Sequence, residues 1–390
     1  MINLKDLVFK GEGSEKLAKC ISSYLHIDDS PNVNPSCSDS EKADKIIDML
    51  EGSKKIRLGS CLCDQEQQYA KNRVLQWMNL GKPIELVSLW GALKGYGQFG
   101  DRNDADIMDL MGMRRFEGLH RDISRIYSPG INVKVLREDV GEVALTGDLN
   151  LPCKIGDYSR SLDNLCISLG IDDHLKFVDE SKILEKKGVT PQEFLKNSKK
   201  NAQVFFQYWI ASTAHPESEW SNLPEYGALT ELGWKGVIPP IMRDHYIERT
   251  RSELPSANSE ELATRVCIYL GTALARYHMN FYQGESVGED GKAIPPFKAS
   301  FVPYPPGTDS RLKLGRFEYK VKDSKTSRTS IPPWAGIGFM VEKGADLFEP
   351  HISGVRTYRD MNSQDYRKVE VELNGKKSCT KFRADILPSH

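Results

Sequence analysis

A chain of 390 residues with 39% apolar and 27% charged side chains is composed like a soluble globule, long enough for one large domain or two moderate ones. Its 53 basic and 54 acidic side chains leave a formal charge of -1, which removes the global electrostatic case for a nucleic-acid partner. No stretch reaches the roughly 18 apolar residues of a membrane span, and Met1-Ile2-Asn3-Leu4-Lys5-Asp6 lacks the apolar run of a signal peptide, so a cytoplasmic protein with no membrane partner is expected.

Residues 1 to 50 read as a helical segment, with Glu15 to Tyr24 and Asp39 to Leu50 flanking a turn-rich loop, Asp28 to Ser40. An amphipathic helix follows over Gln65 to Asn79, stopped by Gly81-Lys82-Pro83. Ile84 to Asp139 then reads as strand, loop, helix and strand. The apolar run Ile84 to Trp90 breaks into Gly91-Ala92-Leu93-Lys94-Gly95-Tyr96-Gly97. A helical pattern covers Asp104 to Tyr127, Ser128-Pro129-Gly130 stops it, and Asn132 to Leu136 runs into Arg137-Glu138-Asp139. Parallel strands need a crossover of this size, so the unit is βαβ.

Glu142 to Thr146 suggests a short strand, Ile155 to Leu169 a helix, and Lys176 to Asp179 another strand. Thr190-Pro191-Gln192-Glu193 is a capping box that starts a helix running through Trp209. His215 to Pro240, rich in Pro, Gly and Trp, reads as an ordered loop over a site, and Met242 to Arg251 and Ser259 to Tyr282 as helices. Phe297 to Val302, Arg316 to Val321, Gly336 to Val341 and Val369 to Leu373 are strand candidates, and Asn374-Gly375 is a hairpin turn. The expected fold is α/β: a Rossmann-like, mostly parallel sheet flanked by helices with a β-rich C-terminal elaboration. Its divisions fall at 1–50 (helical), 51–345 (α/β catalytic domain) and 346–390 (β-hairpin extension).

The eight cysteines are scattered, Cys61-Leu62-Cys63 has too short a spacing for zinc, and the eight histidines form no H-E-x-x-H pattern. Reduced structural thiols and no metal are expected. Ligands in open parallel sheets sit beyond the carboxyl ends of the strands. There Lys94, in a glycine-rich loop, offers a point charge to phosphate or carboxylate, against the competing reading of a solvated loop lysine. Arg137, Glu138 and Asp139 place three charges at the next strand end, either ligand groups or a charged turn. Arg243 and His245 follow the aromatic loop, and His245 is a candidate acid or base. Arg276 and His278 close the next helix, where positive charge suits the helix dipole whatever its function. Lys298 would be costly to bury in a strand without a ligand, and Pro333-Trp334 displays an indole that suits either a pocket wall or core packing.

In order and spacing these pieces resemble the isonitrile (isocyanide) synthases of the dityrosine and pyoverdine biosynthesis family, over about 80 to 345. The resemblance rests on the strand entering the Lys94 loop, Tyr127-Ser128-Pro129-Gly130, and the acidic end of the next strand. It continues through Met242-Arg243 to Arg251, Ala275-Arg276-Tyr277-His278, Phe297-Lys298-Ala299-Ser300-Phe301 and Pro333-Trp334. It implies a reaction without metal or cofactor, in which an amino-acid amine condenses with the ketone of ribulose 5-phosphate and one sugar carbon stays on nitrogen as the isonitrile. By that resemblance Lys94, Arg243, Arg276 and Lys298 are the cations, Glu138 or Asp139 the base or amine anchor, and Tyr208-Trp209, Trp234 and Trp334 the side-chain pocket. The chain departs from the family at Gly95-Tyr96-Gly97, at His278-Met279-Asn280, at Ala335 and in inserts around 285 to 330. Two other readings stand beside it: a sugar or nucleotide transferase with a divalent metal on Glu138 and Asp139, and a non-catalytic small-molecule-binding relative. A homo-oligomer is compatible with all three.

Overall fold

In this computed structural model the described residues are 7–10, 17, 37–52, 64–92, 94, 104–146, 151–212, 264, 267–268, 271–272, 274–276, 278–281, 283–300, 312–313, 318–319, 329–330, 337–342, 348–353, 367, 369–374 and 379–387. In chain order they form β1 (Leu7–Lys10), α1 (Asp39–Gly52), α2 (Asp64–Asn79), β2 (Ile84–Trp90), α3 (Ile107–Ser124), β3 (Ile131–Arg137), α4 (Asp139–Thr146), α5 (Leu151–Leu169) and β4 (Leu175–Asp179). There follow α6 (Glu180–Lys186), α7 (Pro191–Ser212), β5 (Phe297–Ser300), β6 (Leu312–Lys313), β7 (Glu318–Tyr319), β8 (Thr329–Ser330), β9 (Ile337–Glu342), β10 (Phe348–Ser353), β11 (Glu370–Asn374), β12 (Cys379–Arg383) and β13 (Asp385–Leu387).

β2 sits in the middle of a five-stranded sheet ordered β4-β3-β2-β5-β6, in which every neighbouring pair is parallel. The chain builds outward from β2 to β3 and β4, then returns to the other side of β2 for β5 and β6. This is the α/β, Rossmann-like sheet expected, and its strand order reverses between β2 and β5. Alternation along the strands separates two cores. Ile84, Leu86 and Trp90 with Ile131, Val133 and Val135 pack among Val74, Trp77, Met113, Phe116, Tyr158 and Leu162, on the side of α1, α2, α3 and α5. Val87 and Leu136 face the other way, onto Val140, Ile183, Leu184, Phe194, Ala275 and Phe281. Each such side chain taken from water is worth about 1.5–3 kcal/mol.

Local chemistry sets the helix starts. Asp106 caps α3, accepting from the Met108 N–H at 2.9 Å, and Asp109 closes the box by accepting from the Asp106 N–H at 2.9 Å. Thr190 and Glu193 do the same for α7, at 2.8 and 3.2 Å. Between α3 and β3 the chain turns at Gly130, whose φ of 63° and closeness to His120 and Ser124 leave no room for a Cβ.

Two expectations are corrected. Leu7–Lys10 lies in the stretch read as helical but is a strand, paired antiparallel with β11. Of Glu15 to Tyr24 only Leu17 is described, helical and buried. Glu142 to Thr146, read as a strand, belongs to α4. The parallel sheet is continued instead by β4, and Val140, in the first turn of α4, packs against Ile183 and Leu184. The hairpin expected at Asn374 is present, β11 and β12 pairing antiparallel as far as Asn374↔Cys379. Val371, Leu373, Phe382 and Ile386 belong to the same buried cluster as Trp90 and Phe116, so the C-terminal strands share the core of the α/β sheet. Cys166 and Cys267 are buried thiols, and burial pushes the Cys267 thiol up to about 12. No helix among the described residues is long and apolar enough to cross a membrane.

Candidate functional site at the carboxyl edge of the sheet

Trp90, Arg137 and Asp179 are register partners, so β2, β3 and β4 end at one level. The Glu138 N–H donates to the Trp90 carbonyl at 3.0 Å, which seals the junction before α4 begins. Around this edge the structure builds three ion clusters, each around a buried cation that the sequence singles out.

Lys94 reaches Asp109 at 2.7 Å and Asp106 at 2.9 Å, with about 1% of its side chain exposed. Tyr158 donates to the other Asp109 oxygen at 2.6 Å and accepts from the Trp90 indole N–H at 3.1 Å. Asp106 also accepts from the Gly338 N–H of β9 at 2.7 Å. The ammonium thus ties the end of β2 to the first turn of α3, to α5 and to β9. Burial pushes the Asp109 carboxyl up to about 6, the attraction of Lys94 only partly opposing it.

Arg276 lies on the other face of the sheet. It pairs with Glu138 at 2.6 Å and with Glu180, and the three side chains are 2%, 8% and 0% exposed. The free Glu180 oxygen accepts from the Gly141 N–H at 2.8 Å, and a Cβ on Gly141 would run into the Arg276 guanidinium, so that position needs glycine. Burial raises Glu180 to about 7, and the charges of Glu138 and Asp139 add to the shift against the pull of Arg276. Here a carboxyl close to neutrality shares a guanidinium with the more exposed Glu138, an arrangement that can hold an amine and exchange its proton.

Arg137, expected at the strand end to bind substrate, instead lies 2% exposed between Asp179 at 2.6 Å and Asp163 at 2.9 Å, and donates to the Ser159 carbonyl. Three of its hydrogen bonds go to α5 and β4. Asp139 accepts from the Ser181 N–H at 3.1 Å and so caps α6; burial raises its carboxyl. His278 is exposed at the end of its helical segment. Lys298 occupies the second position of β5, level with Val87, three residues below Trp90. Arg243, His245 and Trp334, with Trp234, lie outside the described residues.

Lys94, Arg137 and Arg276 do meet at one edge, but each carries two carboxylates of its own, and Lys94 and Arg276 stand on opposite faces of the sheet. Sequence reasoning passed over Glu180. It follows β4 as Glu138 follows β3, so the strand-end rule that found one carboxylate would have found the other. Asp106, Asp109 and Tyr158 carry no such signal.

No family model matches the sequence, and no curated protein matches it. Among solved structures, the chain is similar to the PvcA protein from Pseudomonas aeruginosa, at 15% identity and a TM-score of 0.48, over 89% of this chain and 99% of that one.

Proposed function

We propose that this chain is an isonitrile-synthase-like enzyme of natural-product biosynthesis, joining an α-amino acid to ribulose 5-phosphate. The observation that carries the reading is the Glu138–Arg276–Glu180 cluster, set at the carboxyl edge of β3 and β4, beside the reversal of strand order between β2 and β5. In this reading Glu138 anchors the substrate amine and takes its proton. The amine adds to the ketone carbon and water leaves; both carbon–carbon bonds at that carbon then break, the one-carbon end leaving as formaldehyde and the phosphorylated three-carbon end leaving with the bonding pair and taking a proton, so that one sugar carbon remains on nitrogen. Glu180, poised near neutrality, exchanges protons with Glu138 through the shared guanidinium environment. Lys298, Arg243 and His245 would serve the phosphosugar, and Trp334 the amino-acid side chain.

The neutralisation of Lys94, Arg137 and Arg276 by their own carboxylates favours a second reading, a relative that binds small molecules without turning them over. The transferase reading gains nothing from the geometry: Glu138 is turned to Arg276 and Asp139 to the Ser181 N–H, and no group of three His, Cys, Asp or Glu suited to a metal occurs among the described residues. Incubating the purified protein with amino acids and ribulose 5-phosphate should yield a product with the isonitrile infrared stretch, undiminished by chelator. Binding without product supports the non-catalytic reading, and loss of product with chelator rejects the metal-free reaction.

A further inference from the structure

A second recess lies on the face of the sheet that carries Val87, but at the amino-terminal half of the strands, away from the clusters above. It is a small recess of about 50 Å³, open to solvent, between β2, β3 and β4 on one side and residues 283–285 and Pro296 on the other. Val87 and Val178 floor it, and Glu85, Asn132, Lys134 and Lys176 rise from the same face.

Lys134 and Lys176 are direct register partners on neighbouring strands. Like charges placed so are destabilising unless something lies between them. Lys134 is half-buried, and among the described residues it makes no hydrogen bond and no ion pair. Glu85, the nearest carboxylate in the sheet, is already engaged. It accepts from the Glu285 N–H at 2.8 Å and from the Ser286 hydroxyl, and Gly284 fits so closely beneath it that a Cβ would strike the Ile294 carbonyl and the Glu85 carboxylate. Burial lowers the Lys134 pKa, with Glu285 and Glu85 opposing the shift and Lys186 and Lys187 adding to it.

We propose that this recess is a binding site for a small phosphomonoester, its phosphate between Lys134 and Lys176 and its organic part over Val87 and Val178. Asn132, level with Glu85, supplies an amide within the same lining for a hydroxyl of the ligand. Lysines suit the task, since a phosphate dianion needs point charges more than planar forks.

The test is titration calorimetry of the full chain with glycerol 3-phosphate and, separately, inorganic phosphate. Glycerol 3-phosphate should bind saturably and more tightly than inorganic phosphate. Lys134→Met and Lys176→Met should each weaken it at least tenfold. Lys176 is exposed, so its variant keeps the fold. Glu285→Gln, which removes an exposed opposing charge, should tighten it. Absence of saturable binding, equal affinity for the two probes, or affinities unmoved by the two lysine variants would overturn the assignment.

Discussion

Replacing Lys94 by methionine is expected to cost about 3–5 kcal/mol of folding stability, the usual consequence of stripping one partner from a buried ion cluster. Methionine keeps most of the stem volume, so the loss isolates the charge. Asp106 and Asp109 would remain buried, without the ammonium now 2.9 and 2.7 Å away. Against the 5–15 kcal/mol that separates most folded domains from their unfolded chains, this is a large fraction. The measurement is the urea midpoint of the variant beside the parent. Asp109 already sits near 6 because burial penalises its charge, so its protonation relieves the strain: the deficit should shrink between pH 7 and pH 5. Lys94→Met combined with Asp109→Asn should recover a good part of the loss, because the amide oxygen can still accept from Tyr158. A Lys94→Met protein as stable as the parent, but with weakened phosphosugar binding, would restore the ligand-gripping role expected from sequence.

Arg276→Met is expected to cost a similar 3–5 kcal/mol at pH 8, since it leaves Glu138 and Glu180 facing one another at 8% and 0% exposure. The pH dependence carries more information. Glu180 rises from 4.5 to about 7 on folding, so the folded chain holds a proton that the unfolded chain releases. Its contribution is complete below about 4.5 and is lost as the pH climbs through about 7. Arg276 is what restrains that rise. Without it Glu180 would stay protonated to higher pH, and the two proteins should converge below pH 5, to within half the deficit seen at pH 8. Parallel stability curves for parent and variant from pH 5 to 8 would show that Glu180 is not the group that couples to Arg276.

The sheet was legible because its signals are local. Ile84 to Trp90 and Asn132 to Leu136 read as strands from their composition, and the turn at Gly130 and the Thr190–Glu193 box punctuate the helices within a few residues. What could not be read is what depends on closure over distance. Lys94 finds Asp106 and Asp109 across a loop, Arg276 finds Glu180 at a separation of 96 residues, and β1 finds β11 at the far end of the chain. A lysine in a glycine-rich loop looks the same in sequence whether it faces a ligand or two carboxylates. Composition misled at Glu142 to Thr146, an apolar stretch that suits a strand but belongs to α4. The strand-end rule singled out Glu138 and the cations near it; it did not reveal that Lys94, Arg137 and Arg276 are already partnered.

The most direct measurement is mass and infrared spectrometry of the product formed from an amino acid and uniformly carbon-13-labelled ribulose 5-phosphate, by the parent and by Glu138→Gln at matched urea midpoints. The parent should give an isonitrile that carries one labelled carbon on the amino-acid nitrogen, and the variant, still folded but without the amine-anchoring charge, at least a hundredfold less. Equal product from both proteins would contradict the assignment of the Glu138–Arg276–Glu180 edge as the seat of the chemistry.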